Sequence, residues 1–536
     1  MKQSRLIVLI ALAFLAACRP ALGEIAPTIA PTAGAPTADV PTGAPATAAL
    51  TPAEPVTPTD EPSTPPATDA TAPLFDIDPF DRSPFAAGLI SDEVGGDALP
   101  GAPVYHMAIT IDPSMTLITG RQTVTYTNNE SVDLNEAYFH LHAKTLDGDI
   151  TVSAVTVDGA PAAAEVVGDM LRVPLAAPLA PGDVTTIDMA FETTVPTDIG
   201  RNYGVLAYYD DILALAHFYP MLAVYDEEGW NTTAPDVQGD LTYSDSAFYL
   251  VRVTAPDGLA LVATGSIVDE TVTDGTQTLT FAAGPARDFY LVAGDFAVVS
   301  ETVGETTINS YAPPDMADGA AMALDVAAAA LESATERLSA YPYRELDIVT
   351  TPTSALGIEY PGLIVGTVNM YDISATTSAG VPYEAILEST IAHEVMHQWF
   401  YNLVGNDQLD EPWLDESVVG YSTYRYFVDR YGQDVGDNYF QNFLGRWDRV
   451  ERAEIPIGRP VAEYEGAEYS AIVYGRGAVF VRELEEAMGR EAFDAFLRAY
   501  VTRFRWDVAT TADFRAMAEE QCGCDLGELF AKFINE

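Results

Sequence analysis

The chain has 536 residues, of which 79 are Asp or Glu and 26 are Lys or Arg, and its formal charge at pH 7 is −53. This excess of negative charge disfavours binding to nucleic acid and to anionic lipid headgroups. It predicts instead a mild electrostatic preference for cationic peptides, which salt would weaken.

The first residues are typical of an export signal. Lys2 and Arg5 precede an apolar run from Leu6 to Ala17, which is too short to span a bilayer but suits a secretory signal. The small residues before Cys18 resemble a bacterial lipobox, in which a signal peptidase cuts and the cysteine carries a lipid. We therefore expect residues 1–17 to be a signal peptide and Cys18 to anchor the chain, outside the cytoplasm, to a bacterial membrane. The alternative is a plain signal peptide with an incidental cysteine, and the sequence leaves the oligomeric state open.

Two regions of different composition follow. Residues 18–97 begin with the lipidated cysteine and are rich in Ala, Pro and Thr, which predicts a disordered stalk that cannot bury enough surface to fold. From 98 to 302, short runs of alternating hydrophobicity are separated by turn residues, and this predicts a β-sandwich domain. Within it, His140 and His142 should point to one face. We interpret them as solvated or loop-facing side chains rather than as metal ligands.

The remaining residues, 303–536, change to helical periodicity. An Ala-rich helix is predicted from Met316 to Ala340. The short apolar stretch from Leu356 to Tyr360 is flanked by a Pro-Gly pair, which suits an edge strand. An exposed edge can pair with an extended peptide, and Gly357 would allow the two backbones to approach closely.

The next predicted helix, from Glu384 to Leu403, carries His393, Glu394 and His397. Residues four apart lie on one helical face, so both imidazoles can bind the same ion. Glu416, at the start of the following predicted helix, would complete a set of three protein ligands for one zinc ion and leave a fourth position for water. Glu394 lies one position round the helix, where it can move protons without binding the metal. This pattern predicts a zinc hydrolase.

These residues resemble the aminopeptidase N family of gluzincin metallopeptidases. The resemblance rests on the HEVMH segment that begins at His393, on the eighteen-residue gap after it, and on Glu416 within a Trp-Leu-Asp-Glu sequence. The LGIEYPG segment at 356–362 is similar to the family's Gly-x-Met-Glu-x signature, and the YGRG segment at 474–477 is similar to its Tyr-x-Lys-Gly signature. The departures from these signatures are Leu356, Ile358 and Arg476, of which the last keeps the positive charge.

The resemblance implies a multidomain α and β fold: an N-terminal β-sandwich, then a mainly helical, thermolysin-like catalytic domain with a small edge-stranded sheet. It implies an aminopeptidase that releases N-terminal residues from extracytoplasmic peptides. Glu394 would be the general base on the zinc-bound water and Tyr474 would stabilise the oxyanion. Glu359 would bind the substrate's α-amino group, with Gly357 beside it. The residues after Tyr474 leave no room for the family's large C-terminal helical domain, so we expect a short, lipid-anchored form with a more open active site.

Two other interpretations remain open at this point. The first is a gluzincin endopeptidase that does not require a free amino terminus. The second is a surface lipoprotein whose sandwich binds a partner while the zinc site is vestigial; the intact Glu394 and Tyr474 argue against such decay. For Cys522 and Cys524, a disulfide and two free thiols are both compatible with the sequence.

Overall fold

The computed structural model describes residues 74–90, 99–234 and 239–534. The predicted signal peptide, Cys18 and residues 19–73 of the predicted stalk lie outside these residues. Among the described residues, no helix combines the length and the apolarity that a bilayer crossing requires.

Residues 74–90, near the end of the predicted stalk, are packed against the folded chain. Phe85 is buried in a single 3₁₀ turn, and its ring centroid lies 5.0 Å from that of Phe248. The Ile90 amide donates to the carbonyl of Pro342 at 2.8 Å. The prediction of disorder as far as residue 97 is therefore wrong for this segment, because large apolar side chains interrupt the Ala/Pro/Thr composition and find a partner surface.

The N-terminal domain is built from strands. In the described chain they are β1 (Val104–Ile111), β2 (Leu117–Thr127), β3 (Leu134–His140), β4 (Asp149–Val157), β5 (Ala160–Pro161), β6 (Glu165–Val167), β7 (Met170–Leu179), β8 (Val184–Thr194), β9 (Leu206–Tyr209), β10 (Ile212–Leu215), β11 (Met221–Leu222), β12 (Tyr225–Asp226), β13 (Gly229–Trp230), β14 (Ala247–Pro256), β15 (Ala260–Ala263), β16 (Ser266–Thr273), β17 (Thr276–Ala286) and β18 (Leu291–Gly294). They form an eight-stranded sheet in the order β16-β17-β14-β1-β2-β8-β4-β5, two four-stranded sheets, β15-β18-β10-β9 and β11-β3-β7-β6, and a β12-β13 ribbon.

Alternating side chains let these sheets pack in layers. In β1, Met107, Ile109 and Ile111 are buried while the residues between them are more exposed, as expected for a strand with one face on a core. They share one hydrophobic core with Phe139 of β3 and Val292 of β18, so all three large sheets contribute to it. This arrangement confirms the predicted β-rich N-terminal domain.

His140 and His142 are not solvated, contrary to the interpretation from the sequence. Both are buried, their ring centroids lie 4.8 Å apart, and the His142 centroid lies 5.3 Å from that of His217. Burial lowers the pKa of both residues because it disfavours the charged imidazolium. Their ring nitrogens do not belong to the converging sets of possible metal ligands found among the described residues.

The second domain combines one small sheet with helices. Its elements within the described residues are β19 (Ala297–Val303), β20 (Thr306–Ala312), α1 (Ala317–Arg337), β21 (Glu345–Thr351), β22 (Gly357–Tyr360), β23 (Leu363–Thr367), α2 (Tyr383–Met396), β24 (Val404–Gly405), α3 (Trp413–Tyr431), α4 (Gln433–Asp448), α5 (Gly477–Met488), α6 (Arg490–Arg503), β25 (Asp507–Val508), α7 (Thr511–Cys522) and α8 (Gly527–Phe533). The sheet order is β19-β20-β21-β23-β22, and the predicted domain boundary between residues 302 and 303 therefore falls inside β19.

The position of β22 decides what the sheet offers to a ligand. It lies at the edge, as predicted, and pairs antiparallel with β23 on one side. Helices α1 and α2 pack on each other, α1 against β20 and α2 against β22 and β23, so the sheet positions α2 beside its own edge strand. The β-rich domain followed by this helical domain confirms the predicted fold class.

Helix α2 is shorter than predicted. It ends at Met396, and His397 follows as its cap with φ −62° and ψ −18°. The amides of residues 402–404 then donate to carbonyls five residues back, and Tyr401 has φ +122°. A residue with such a φ cannot continue a right-handed helix, so the apolar spacing that predicted a helix as far as Leu403 belongs to a buried turn.

Candidate metal centre and active site

Helix α2 brings two imidazoles to one point. The helix is buried on most of its surface, through residues such as Ile391 and Val395, so it is a rigid support. His393 and His397 lie one turn apart and place their Nε2 atoms 3.2 Å from each other. The side chain of His397 is 1% exposed and that of His393 is 17% exposed, so the site opens to solvent on the His393 side.

Glu416 meets this pair from the first turn of α3. Pro412 precedes that helix and the fully buried Trp413 anchors its start. Glu416 Oε2 lies 3.1 Å from His393 Nε2 and 3.6 Å from His397 Nε2. Donors bound at about 2.1 Å to a tetrahedral zinc ion stand roughly 3.4 Å apart, so these distances fit one shared ion. The structure brings the three predicted ligands together.

A second carboxylate orients His397. The Nδ1 atom of His397 lies 2.6 Å from Asp415 Oδ1 and 3.2 Å from the carbonyl of Phe400, so Nδ1 carries the hydrogen and Nε2 keeps the lone pair that a metal needs. The other oxygen of Asp415 accepts from Gln408 Nε2 at 2.6 Å. Burial disfavours the imidazolium, but Asp415 and further nearby carboxylates outweigh it and raise the pKa of His397 well above its usual range, so a metal ion would have to displace a proton from Nε2.

Glu394, the predicted general base, belongs to α2, and its side chain packs against the edge strand β22. It is 5% exposed, and a Cβ on Gly357 would lie 2.3 Å from its Oε1 atom. From the sequence, the missing side chain at Gly357 is expected to allow the approach of a substrate, whereas in the structure it makes room for Glu394. Burial raises the pKa of Glu394 to about 8; His397 opposes this shift and Glu416 adds to it. A cation in the pocket would lower that pKa.

Glu359 lies on the same edge strand and points into the same pocket. Its carboxylate, that of Glu394 and a ring nitrogen of His397 all lie within 4.8 Å of one another. Glu359 is only 7% exposed, and no group among the described residues donates a hydrogen bond to its carboxylate. Burial is the main cause that raises its pKa well above the usual range, and Asp240 adds to it. A buried carboxylate without a hydrogen-bond donor would gain from a cationic partner.

Tyr474 reaches the site from a π-helical segment. Residues 470–476 form this segment, a rare conformation that is frequent at functional sites. The Tyr474 hydroxyl donates to Glu416 Oε1, the oxygen that faces away from the imidazoles. The guanidinium of Arg446 lies 5.1 Å from the Tyr474 ring centroid. The phenol is thus beside the candidate metal ligands.

Arg476 does not contribute its charge to this pocket. It is 1% exposed and donates to backbone carbonyls of Ile455 and Phe533 at 2.6 Å and 2.9 Å. The side chain therefore ties the π-helical segment to the C-terminal residues. Arg476 keeps the positive charge that the family has at this position. In the structure, however, its guanidinium donates to backbone carbonyls and does not face the pocket.

One acidic residue of the pocket comes from the N-terminal domain and was missed by the sequence analysis. An oxygen of Asp240, in the segment before β14, lies within 4.8 Å of oxygens of Glu359 and Asp415. Burial raises the pKa of Asp240 to about 8, and repulsion from Glu416 and Asp415 adds to the shift. No local pattern marks such a residue, because only the tertiary fold brings its loop to the helices. Asp415 could have been found, since a carboxylate next to a zinc ligand is a common orienting partner.

Comparisons with known proteins point to one family of peptidases. Residues 322–533 match the peptidase family M1 domain. Aminopeptidase M1-B of Oryza sativa subsp. japonica is 27% identical over 305 residues, which are 54% of this chain and 34% of that protein. Aminopeptidase 2 of Candida albicans is 25% identical over 335 residues, which are 58% of this chain and 36% of that protein. The chain thus spans about a third of the length of these curated relatives.

Solved structures share the fold. The M1 zinc metallopeptidase of Deinococcus radiodurans superposes with a TM-score of 0.59 at 19% identity, over 81% of this chain and 95% of that one. A mutant of that enzyme bound to a Tyr-Ser-Ala substrate gives a TM-score of 0.58 at 19% identity, over 81% and 94% of the two chains. At this level of identity the likeness establishes the common architecture of a β-rich domain followed by a helical one.

Proposed function

We propose that this chain, whose residues 322–533 match the peptidase family M1 domain, is a zinc-dependent aminopeptidase that hydrolyses peptides from their free amino terminus. The observation that carries the proposal is the convergence of His393, His397 and Glu416 next to Glu359. The first three form a metal site with a free position, and the buried Glu359 forms a site for a cationic group.

The donor set fits a catalytic metal. His393, His397 and Glu416 would hold one zinc ion, whose chemistry is to polarise the scissile carbonyl and to acidify a water molecule. Two imidazoles and one carboxylate leave room for a fourth ligand, which is the pattern of catalytic rather than structural sites. Asp415 supports this binding because it holds His397 in the required tautomer.

Glu394 is placed to move the proton. It would accept the proton of the attacking water and pass it to the amine of the departing product. Because the backbone of Gly357 lies against its carboxylate, Glu394 has little freedom to turn away. The base is therefore positioned before a substrate arrives.

Tyr474 would stabilise the oxyanion that forms on the scissile carbonyl. Its hydroxyl is already directed at Glu416 beside the metal donors, so a change of partner from Glu416 to the oxyanion requires only a small movement. The Arg446 guanidinium over its ring limits other movements of the phenol. Such a donor acts mainly on the transition state, where the negative charge develops.

Glu359 would select a free amino terminus. An extended peptide can add to the edge strand β22 by backbone hydrogen bonds, as exposed sheet edges allow. An ion pair between its α-ammonium group and Glu359 would then hold the first peptide bond beside the metal donors. A peptide with a blocked amino terminus would leave this buried carboxylate unpaired, which costs binding free energy.

The function is tested with aminoacyl fluorogenic substrates in free and N-acetylated form, each with and without a chelator. The proposal expects cleavage of the free-amine substrates only, loss of activity with the chelator and recovery with added zinc. Equal cleavage of both forms would favour the endopeptidase alternative. Failure of the zinc-loaded chain to cleave either form would favour the binding-protein alternative.

We also propose that the chain is exported and held at a bacterial membrane by a lipid on Cys18, so that its substrates are extracytoplasmic peptides. The apolar run before Cys18 and the small residues next to it support this location. Expression in a bacterial host with an alkyne-labelled palmitate should label the wild-type chain and leave Cys18→Ala unlabelled. A wild-type chain without label would contradict the anchor.

A further inference from the structure

We propose that Ser417 and Arg476 are positioning residues for Tyr474. The inference rests on the proposed function, in which Tyr474 stabilises the oxyanion, and it adds the contacts that hold the phenol in place. Ser417 is 0% exposed and Arg476 is 1% exposed. The hydroxyl of Ser417 binds the residue before Tyr474, and Arg476 lies two residues after it. The two side chains therefore fix the backbone on both sides of the phenol.

The backbone that carries Tyr474 needs support from its neighbours. Residues 470–476 are π-helical and continue directly into α5. The amide of Gly477 donates to the carbonyl of Ile472, five residues back, where an α-helix would use the carbonyl four residues back. Such turns are rare, and relaxation of this one to an α-helix would change the direction of the Tyr474 side chain, because the two helices hold different numbers of residues per turn. Contacts with other elements are therefore needed to keep the segment in this conformation.

Ser417 joins the π-helical segment to helix α3. It directly follows the candidate metal ligand Glu416, and its Oγ atom donates to the carbonyl of Val473 at 2.7 Å. One hydrogen bond thus connects the neighbour of Glu416 to the neighbour of Tyr474. A Cβ on Gly477 would collide with Ser417 Oγ, so the glycine permits this close approach of α3 and α5. The direction of the Tyr474 hydroxyl toward Glu416 is therefore set by the two backbones as well as by the hydrogen bond between the side chains.

Arg476 holds the other end of the segment. Its guanidinium donates to the carbonyls of Ile455, Phe533 and Lys532 at 2.6, 2.9 and 2.7 Å. The guanidinium carbon lies 4.6 Å from the centroid of the Phe533 ring. Within the described chain no carboxylate forms an ion pair with Arg476, and burial lowers its pKa. A buried guanidinium without a counter-ion is costly, which indicates that Arg476 contributes through geometry, by three directional bonds that a lysine cannot reproduce.

A positioning role differs from a purely structural role in its dependence on Tyr474. If the two residues act through the phenol, their loss matters only while the hydroxyl of Tyr474 is present. If they merely stabilise the fold, their loss lowers kcat by the same factor with and without that hydroxyl. A double-mutant cycle with Tyr474→Phe therefore separates the two roles.

The first test is Ser417→Ala, which removes one buried hydroxyl from a helix that accepts alanine well. For the zinc-loaded full chain and an aminoacyl fluorogenic substrate, kcat should fall roughly ten- to a hundredfold, because a displacement of about 1 Å can have an effect of this size. KM should change little, since the oxyanion exists only in the transition state. In the Tyr474→Phe background the same substitution should leave kcat unchanged.

Ser422→Ala is the matched control. Ser422 is also a buried serine of α3, but its hydroxyl donates to the carbonyl of Val418 within the same helix. Its loss removes a hydrogen bond of the same kind without touching the π-helical segment. The substitution should leave kcat unchanged in both backgrounds.

The second test is Arg476→Lys, which keeps the charge but loses the planar group. It should lower kcat only when the Tyr474 hydroxyl is present, as Ser417→Ala does. Hydrogen exchange followed by mass spectrometry gives a readout that does not depend on turnover. The amides of residues 470–477 should exchange at least severalfold faster in both variants than in the wild type and in Ser422→Ala. Zinc content per chain should stay at the wild-type level, because neither substituted side chain is a candidate ligand.

The outcomes separate this inference from the proposed function. A wild type that cleaves no aminoacyl substrate, or a Tyr474→Phe variant with wild-type kcat, overturns the function assigned to Tyr474. If Tyr474→Phe is impaired, wild-type kcat in Ser417→Ala or in Arg476→Lys overturns only the positioning role of that residue. Losses of equal factor in both backgrounds, or unchanged exchange of residues 470–477, also overturn it. Loss of zinc from Ser417→Ala does so as well, because the serine would then act on the metal ligands.

Discussion

At the scale of single residues, the pocket concentrates negative charge around two imidazoles. Its carboxylates are Asp240, Glu359, Glu394, Asp415 and Glu416, all of them buried or partly buried. Asp415 and Glu416 have hydrogen-bond partners within the chain, but Glu359 has none among the described residues. Under the proposed function, a metal ion and a cationic substrate would balance this charge, and single charge changes should alter binding and catalysis more than folding.

Glu394→Gln removes the proton acceptor and keeps the shape of the side chain. We expect kcat to fall roughly 10²- to 10⁴-fold, the usual contribution of a general base, while the zinc content per chain stays at the wild-type level. Glu384→Gln, in the first turn of the same helix, is the control and should retain full activity. Wild-type turnover by the Glu394 variant would show that another group takes the proton.

Tyr474→Phe removes only the hydroxyl. Because the proposed oxyanion exists in the transition state and not in the bound substrate, kcat should fall roughly 10²- to 10³-fold with little change in KM. Tyr431→Phe removes an exposed hydroxyl that donates to Glu388 in the same domain, and its activity should be unaffected. A change confined to KM in Tyr474→Phe would contradict the assigned role.

The residues that could be predicted are those that a short sequence pattern connects. His393, His397 and Glu416 follow from helical spacing and one gap, so their convergence is expected from the sequence. Asp240 is separated from them in sequence by the last strands of the N-terminal domain, β14 to β18, and by the second sheet, and no rule of local spacing reaches that far. The burial of Glu359 was equally hidden, since the strand that carries it is exposed at its edge but covered where the carboxylate points.

At the scale of elements, the contact between α2 and β22 is the one on which catalysis depends. The edge strand supplies Glu359, and its glycine allows the close approach of Glu394. Side chains of other residues at position 357 would separate the strand from the helix. The glycine of the LGIEYPG segment is therefore needed for the packing of β22 on α2, in addition to the role in substrate binding that the sequence predicts.

Gly357→Ala should therefore disturb geometry rather than chemistry. Its methyl group would lie 2.3 Å from Glu394 Oε1 and must displace that carboxylate or the strand. A displacement of about 1 Å can lower kcat/KM roughly a hundredfold, while all catalytic groups remain present. Gly445→Ala, where a Cβ meets nothing within 4 Å, is the matched control and should leave kcat/KM unchanged. Equal activity of the two variants would contradict the packing argument.

Helix positions were predicted well where apolar spacing alone sets them. The predicted helix from Met316 to Ala340 corresponds to α1, which ends three residues earlier, at Arg337. The extension of α2 to Leu403 was wrong because Tyr401 adopts a positive φ. That conformation is held from the other domain, since Asp288 accepts from the Tyr401 hydroxyl at 2.8 Å. The spacing of apolar residues along a helix cannot predict a backbone conformation that depends on a contact with the other domain.

At the scale of the whole molecule, Arg287 connects the two domains. This residue is 2% exposed and donates to the carbonyls of Tyr401, Ser244 and Asp507. It therefore joins the end of the sandwich, the loop that follows Asp240 and the turn after His397. The catalytic centre, which draws residues from both domains, depends on this junction.

Arg287→Met would keep much of the side-chain volume but leave three carbonyls without their donor, two of them in buried hydrogen bonds. We expect the free energy of unfolding to fall by roughly 2 kcal/mol or more, because each buried unsatisfied group costs about 1 kcal/mol or more. Arg201→Met removes an ion pair with Asp147 from an exposed side chain and should change stability by less than about 1 kcal/mol. Denaturant midpoints of the two variants give the comparison, and similar small shifts would show that the junction is not important for stability.

The order of domains could be predicted because the period of the hydrophobic pattern changes from strand-like to helical along the chain, and the match of residues 322–533 to family M1 confirms the family resemblance. The boundaries of the domains were predicted less accurately than their order. Residues 74–90 pack through Phe85 onto the sandwich, and β19 already belongs to the second sheet. Both depend on contacts between segments that are distant in sequence.

The proposed binding of one zinc ion by His393, His397 and Glu416 can be measured by elemental analysis of the purified chain. After exposure to zinc and removal of the excess, the wild type should contain one zinc ion per chain. Glu416→Ala, measured in parallel, should retain well under half of that amount, because two imidazoles alone hold the ion weakly. A wild type that takes up no zinc, or a Glu416 variant that keeps the full complement, would contradict the account.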